Sequence, residues 1–355
     1  SDADNVYTRA ARHLEEWISA GVLARDDRPG LYGYFQEFTV PDTGERLVRK
    51  GFIGLGAVED YSAGVVHRHE QTLSGPKKDR LELLRRTRAH FGQIFMLYPD
   101  PAGDVDRLLD EAAVAPPDGE LTDEYGAAHR IWRIAQPERV ERIRELMKDK
   151  KLLIADGHHR YETALAFRNE NPGHEGAARV MMTFVSMHSA GLKILATHRL
   201  VSGVAGFDAA RFVENAAADF TATEIASPDA LRRAWKEKPG RTVIGAAAGS
   251  RLWMLEARGN GGELDVRVLH ERLLGKALGI GEDAVREERN LRYARGIDAA
   301  VEEARTGAAQ IVFLLKPTSI QQVADISFSG GVMPQKSTDF YPKLLSGLTI
   351  YRVDE

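Results

Sequence analysis

Hydrophobic positions change period once within the first sixty residues. Val6, Ala10, Leu14, Trp17 and Ile18 recur at helical spacing and predict a helix over 6–20, with Gly21 as its stop. Residues 31–40 (LYGYFQEFTV) and 46–58 (RLVRKGFIGLGAV) then read as two strands joined by the turn PDTGE at 41–45. The glycines of GFIGLG at 51–56 open no helix, so they belong to a strand rather than to a dinucleotide-binding turn.

A basic helix over 76–90 leads into a short apolar strand, QIFMLYP, at 93–99. Residues 100–150 read as loop, a strand around HRIWRI and the amphipathic helix PERVERIRELMKDK. The strand KLLIA at 151–155 follows, then a helix opened by DGHHR, and then strands over 178–187 and 194–201. After Gly203 the composition turns Ala-rich and predicts a helix over 204–220, followed by a hairpin turning at Gly249-Ser250. Helices over 269–278 and 297–306 and the strand QIVFLLK complete the pattern, and no internal repeat or low-complexity run appears.

A chain of 355 residues is long enough for two domains. The composition shift divides it into 1–202, carrying the chemistry discussed next, and 203–355, a mixed α/β C-terminal domain. The last ~20 residues are expected to return to the first domain, at its active-site cleft. The fold class is α/β, in the α+β sense.

A formal net charge of -4 and a pI near 6.3 argue against a nucleic-acid binder that works by bulk electrostatics. With no cysteine, disulfides, thiolate metal sites and a cysteine nucleophile are excluded, which fits a cytoplasmic setting. The longest apolar runs, such as IVFLL at 311–315, fall far short of a membrane span. The charged start is unlike a signal peptide and opens within a helical pattern, so a segment preceding residue 1 is expected.

Three polar clusters change the picture. The first is DGHHR at 156–160, directly behind a buried strand. A helix start leaves several backbone N–H groups unpaired, and the helix dipole adds to their pull on an anion. Gly157 allows close approach of a phosphate, Arg160 can grip it with two parallel bonds, and His158 and His159 can add donors. The plainer reading is that Asp156 caps the helix while the other side chains face solvent. The second cluster, VVHRHEQTLSGPKKDR at 65–80, gathers His67, His69, Glu70 and Thr72 ahead of Lys77, Lys78 and Arg80. It admits a zinc site, a general base in Glu70 beside His69, or a surface ion pair. The third, PQKSTDFYPKL at 334–344, carries Lys336, Ser337, Thr338 and Lys343, which suit phosphate contact or an exposed turn.

The pieces HRHEQTLSGPKKDRLELLRRT, IADGHHRYETALAFR, LKILATHRLV and MPQKSTDFYPKL together resemble the bacterial domain-of-unknown-function family numbered one thousand and fifteen, in order and across nearly the whole chain. The resemblance implies a ParB/sulfiredoxin-like nucleotide-binding domain, in which such a Gly-x-x-Arg turn holds nucleotide phosphates. It also implies kinship with kinases of free serine that use a similar turn and a catalytic glutamate. Carried onto this chain, it places Gly157, His158, His159 and Arg160 at the phosphates of ATP or ADP with Mg2+. Beside the resemblance, Lys336, Ser337, Thr338 and Lys343 are the candidate further phosphate contacts, and Glu70, on position alone, Asp156 and His69 the candidate catalytic groups. The chain departs from the pattern at Ser189-Ala190, at Gly296 and at Gly330-Gly331, where acids or Asp-Pro are usual.

The function expected is therefore a nucleotide-dependent phosphotransferase on a small hydroxyl compound, with free serine and serine metabolism the closest analogy. The alternatives are a nucleotide-binding regulatory or non-catalytic paralogue and a nucleotide hydrolase. The expected partners are nucleotide and small-molecule substrate, without nucleic acid or membrane, and a homodimer is the assembly considered.

Overall fold

The structure, a computed structural model, describes residues 4–70, 75–259 and 261–354, without the side chains of 75–77. The chain begins α1 (Val6–Ser19), β1 (Leu31–Thr39), β2 (Arg46–Ala57), β3 (Val66–His67), α2 (Gly75–Thr87), β4 (Ala89–His90) and β5 (Ile94–Tyr98). It continues α3 (Asp104–Ala112), β6 (Gly119–Thr122), β7 (Ala128–Ile134), α4 (Pro137–Met147), β8 (Leu152–Asp156), α5 (His158–Glu170) and β9 (Arg179–Ser186). Next come β10 (Lys193–Leu195), β11 (His198–Val201), α6 (Ala209–Ala216), β12 (Phe220–Glu224), α7 (Pro228–Glu237), β13 (Val243–Ala248) and β14 (Arg251–Ala257). Then α8 (Asp265–Val268) runs into a wider helical segment, Leu269–Ala277. Last are α9 (Glu282–Arg286), β15 (Leu291–Ala294), α10 (Ile297–Arg305), β16 (Ile311–Leu314), α11 (Ile320–Phe328), β17 (Asp339–Tyr341) and β18 (Tyr351–Arg352). The chain is a mixed α/β protein.

It divides into two compact units. The first comprises residues 1–193, 326–332 and 342–355, and the second 194–325 and 333–341. No helix among the described residues is long and apolar enough to cross a membrane.

The first unit is built on an eight-stranded sheet in the order β3-β8-β5-β9-β2-β1-β7-β6. Its central strands are covered on both faces. Phe35, Phe52, Met96, Trp132, Ile154 and Tyr161 pack together on one face, and burying each such side chain contributes roughly 1.5–3 kcal/mol. On the other face Tyr34, Ile53 and Met181 are covered by Leu344, Leu348 and Tyr351 of the C-terminal segment. The glycines of GFIGLG lie inside β2, as expected of a strand. At Gly51 a Cβ would come within 2.6 Å of the Phe184 carbonyl, so the close approach of β9 requires glycine there. Helix α1 begins with a capping box, Asn5 accepting from Tyr7 and Thr8 N–H groups.

The second unit holds a six-stranded sheet in the order β12-β14-β13-β16-β11-β15, with Leu200, Leu231, Val243, Val312 and Leu314 in its core. The helix expected over 204–220 is only Ala209–Ala216. Gly203 and Gly206 take positive φ, and Asp208 caps the helix by accepting the Arg211 N–H at 2.8 Å. The strand expected over 194–201 is interrupted at 196–197, where the Thr197 carbonyl accepts from Arg199. Within 100–150 the helix α3 and strand β6 add to the loop, strand and helix expected.

Candidate functional site

Strands β3 and β8 run parallel, Val66 opposite Leu152 and His67 opposite Leu153. The chain therefore leaves both at the same edge of the sheet, where crevices in α/β folds receive ligands. One exit carries Arg68-His69-Glu70 and the other Asp156-Gly157 and the start of α5. Gly157 is the N-cap of α5 at φ 94 and ψ 24. A Cβ there would meet the Arg160 guanidinium at 2.9 Å. The bare glycine thus lets the turn close left-handed and lets Arg160 lie over it.

Asp156 does not cap the helix, which has no side-chain cap bond. Instead its carboxylate stands between two cations. Arg160 donates to Oδ2 at 3.0 Å, and the Lys343 ammonium lies 3.5 Å from Oδ1. Arg160 Nε is buried without a hydrogen-bond partner, a donor with capacity left for a ligand. The plain capping reading thus gives way to a charged cluster at a helix start.

His69 and His158 are buried and neutral. His69 Nδ1 lies 2.7 Å from the Ile154 carbonyl, which can only accept, so Nδ1 carries the proton and Nε2 is left as an acceptor. That Nε2 stands 3.8 Å from Glu70 Oε1. The His158 ring meets the His69 ring edge-on, with centroids 4.7 Å apart, and His158 Nε2 is buried without a partner. Burial, reinforced by neighbouring positive groups, pushes both imidazoles down to about 3. His158 is therefore a one-proton donor rather than a cation. The charge of an anion must be met by Arg160, Lys343 and the helix start.

The zinc reading of the second cluster has no geometric support. His67 faces the carbonyls of Gly64 at 3.0 Å and Ser327 at 3.2 Å through its two ring nitrogens. No group of three His, Cys, Asp or Glu side chains that could hold a metal occurs among the described residues. Thr72 and the Lys77 side chain lie outside the described residues, and Lys78 and Arg80 are exposed on α2.

Of the third cluster, Lys343 belongs to the first unit, while Lys336, Ser337 and Thr338 belong to the second. There Lys336 is exposed at φ 56. The Ser337 hydroxyl is turned inward, donating to the Pro334 carbonyl at 2.6 Å, and Thr338 is half-buried. Gly296, one of the departures noted above, begins α10 at φ 79 and ψ 121, a conformation in which an acidic residue would be strained. Two residues near Arg160 escaped the sequence reading. A Cβ on Gly92 would lie 3.8 Å from Arg160 Cδ and 3.3 Å from Ser346 Oγ, so this glycine lies beside the arginine stem with Ser346 next to it. The Ser-Gly pair at 346–347, just past the last motif, is the signal that could have found one of them.

The sequence as a whole places the chain in a family: it belongs to the protein-of-unknown-function family DUF1015, whose profile matches residues 1–271. No curated protein matches it. Among solved structures it is similar to a conserved hypothetical protein from Pyrococcus furiosus, at 14% identity and a TM-score of 0.43, covering 85% of this chain and 96% of that one. It is also similar to a free serine kinase in complex with AMP, at 15% identity and a TM-score of 0.43, covering 81% and 86%. A third is C-terminally truncated SbnI from Staphylococcus aureus, at 10% identity and a TM-score of 0.39, covering 82% and 85%. The chemistry is read below from this chain's own residues.

Proposed function

We propose that the chain is a nucleotide-dependent phosphotransferase acting on a small hydroxyl compound, with a free amino acid such as serine the substrate class. The observation that carries this reading is the start of α5: a left-handed glycine, a helix start without a side-chain cap, and Arg160 and Lys343 meeting on one carboxylate. Such a cluster is built to hold phosphate oxygens. Gly157, His158, His159 and Arg160 would hold the transferable phosphate of ATP or ADP, with Lys343 as a second cation. Glu70, on the neighbouring exit and a quarter exposed, would accept the proton of the attacking hydroxyl.

A magnesium ion fits this donor set. Magnesium at phosphate sites takes one or two carboxylates and completes its shell with phosphate oxygens and water. Asp156 would supply the carboxylate once a phosphate has taken its cations, and the ion would neutralise charge on the phosphate oxygens.

Phosphorus NMR of the protein with ATP, ADP or CTP, magnesium and a panel of amino acids tests the proposal. A phosphorylated hydroxyl product is the expected result. Free phosphate alone would make the protein a nucleotide hydrolase, and binding without turnover would make it a nucleotide sensor.

A further inference from the structure

Three polar side chains stand in a row across the centre of the first unit's sheet. His129 on β7, Gln36 on β1 and Arg49 on β2 are direct cross-strand neighbours, and each is 1% exposed. A core does not ask for a buried guanidinium, since apolar residues of similar volume serve at least as well. What Arg49 supplies is directed bonds. Its Nε donates to Gln36 Oε1 at 3.0 Å, and its terminal nitrogen donates to the Pro342 carbonyl at 2.5 Å. Its guanidinium carbon lies 4.6 Å from the centroid of the Phe95 ring.

The rest of the row points the same way. The Gln36 amide donates to the Lys343 carbonyl at 3.0 Å. His129 Nε2 lies 3.1 Å from Asp123 Oδ2, which makes Nδ1 an acceptor for the Tyr34 hydroxyl at 2.7 Å. The Tyr34 oxygen then receives the Leu345 N–H at 3.2 Å. Backbone groups at 342, 343 and 345 all end on this buried row, in a stretch with no ladder of its own. Between them stands Lys343, whose ammonium reaches Asp156.

We infer that Arg49, with Gln36 and Tyr34, is a positioning residue for the phosphate site: it fixes the backbone of 342–345 so that Lys343 is presented beside Arg160. This inference rests on the phosphate reading of the α5 start. Phosphate affinity at the helix start is then set partly from the far side of the sheet, through a loop that returns from the end of the chain.

A double-mutant cycle read by calorimetric titration with ATP and magnesium tests it. Lys343→Ala should weaken binding about tenfold. Arg49→Lys should weaken it about fivefold and Tyr34→Phe about twofold, yet neither should weaken it further once Lys343 is alanine. Equal losses in both backgrounds would show that Arg49 and Tyr34 act on the fold at large, and would overturn the inference. Should Arg49→Lys not fold, Tyr34→Phe, which keeps the ring, carries the cycle alone. Binding that is lost in Arg160→Lys but untouched by Lys343→Ala overturns the inference and leaves the phosphate reading standing. Absence of nucleotide binding in the wild type overturns both.

Discussion

The two sheets differ in a way that bears on chemistry. Every step of the second unit's six-stranded sheet is antiparallel. The first unit's sheet contains two parallel pairs, β3 with β8 and β5 with β9. Antiparallel neighbours leave a sheet at opposite edges, whereas a parallel pair sends two chain exits to the same edge. At one such edge the first unit gathers Glu70, Asp156 and Arg160. The second unit also buries polar groups, but Arg199 is bonded to the carbonyls of Gln335 and Lys336 and no comparable pair of exits frames it. Both units thus use a buried arginine to hold a loop, and only the first combines that with a helix start dressed in cations.

The comparison breaks most visibly at Glu70. Glu70→Gln should lower turnover by about 10²–10⁴ while nucleotide affinity stays near that of the wild type, because a general base acts on the hydroxyl rather than the phosphate. Steady-state rates beside calorimetric titration check this, and unchanged turnover would remove the β3 exit from the chemistry.

Acid should fail to distinguish the units. Burial holds His69 and His158 near 3 in the first unit, and His198 near 4 and His270 near 3 in the second. Each folded value lies below the ordinary value of about 6.5, so between the two the unfolded chain binds more protons than the folded one. Stability is therefore complete above about pH 6.5 and falls as pH drops toward 3. Denaturant titrations across that range should show the loss, and His158→Asn should flatten part of it. An unchanged slope in that variant would mean that His158 ionises freely in the folded protein.

The smallest effect sharpens the comparison most. Arg160→Lys should weaken nucleotide binding about tenfold, because a point charge replaces a planar fork that makes two directed bonds. Its melting temperature should stay close to wild type, since Arg160 is a third exposed and its ion pair with Asp156 is partly solvated. Equal affinities would return Arg160 to the role of a surface residue.

Much of this site is legible in the residues themselves. DGHHR behind KLLIA announces a strand, a glycine turn and a helix start, because strand hydrophobicity, a turn residue and clustered polar groups follow one another directly. HRHE after Val65-Val66 is legible for the same reason. Gln36 and Arg49 are not. Alternation marks the inward face of a strand only when the other face is wet, and β1 buries Tyr34, Phe35 and Gln36 in succession. A polar residue in such a strand looks like a solvent-facing one until the segment that covers it is known. That cover, from residues more than 290 positions away, is a tertiary fact. In the second unit, the alanines of 204–220 suggest one long helix, yet two left-handed glycines and an aspartate cap decide where it begins.

Asp156 gives the site a consequence for exchange. Its carboxylate already engages both cations, so a phosphate bound as proposed would swap with an anion the protein carries on its own chain. The free energy of occupancy is then a difference between two sets of ion pairs, and departure is assisted by a tethered competitor that never diffuses away. Added salt weakens the outgoing and the incoming pair together, so affinity should respond to ionic strength less steeply than two cations alone would dictate. A site arranged this way favours rapid release over tight retention.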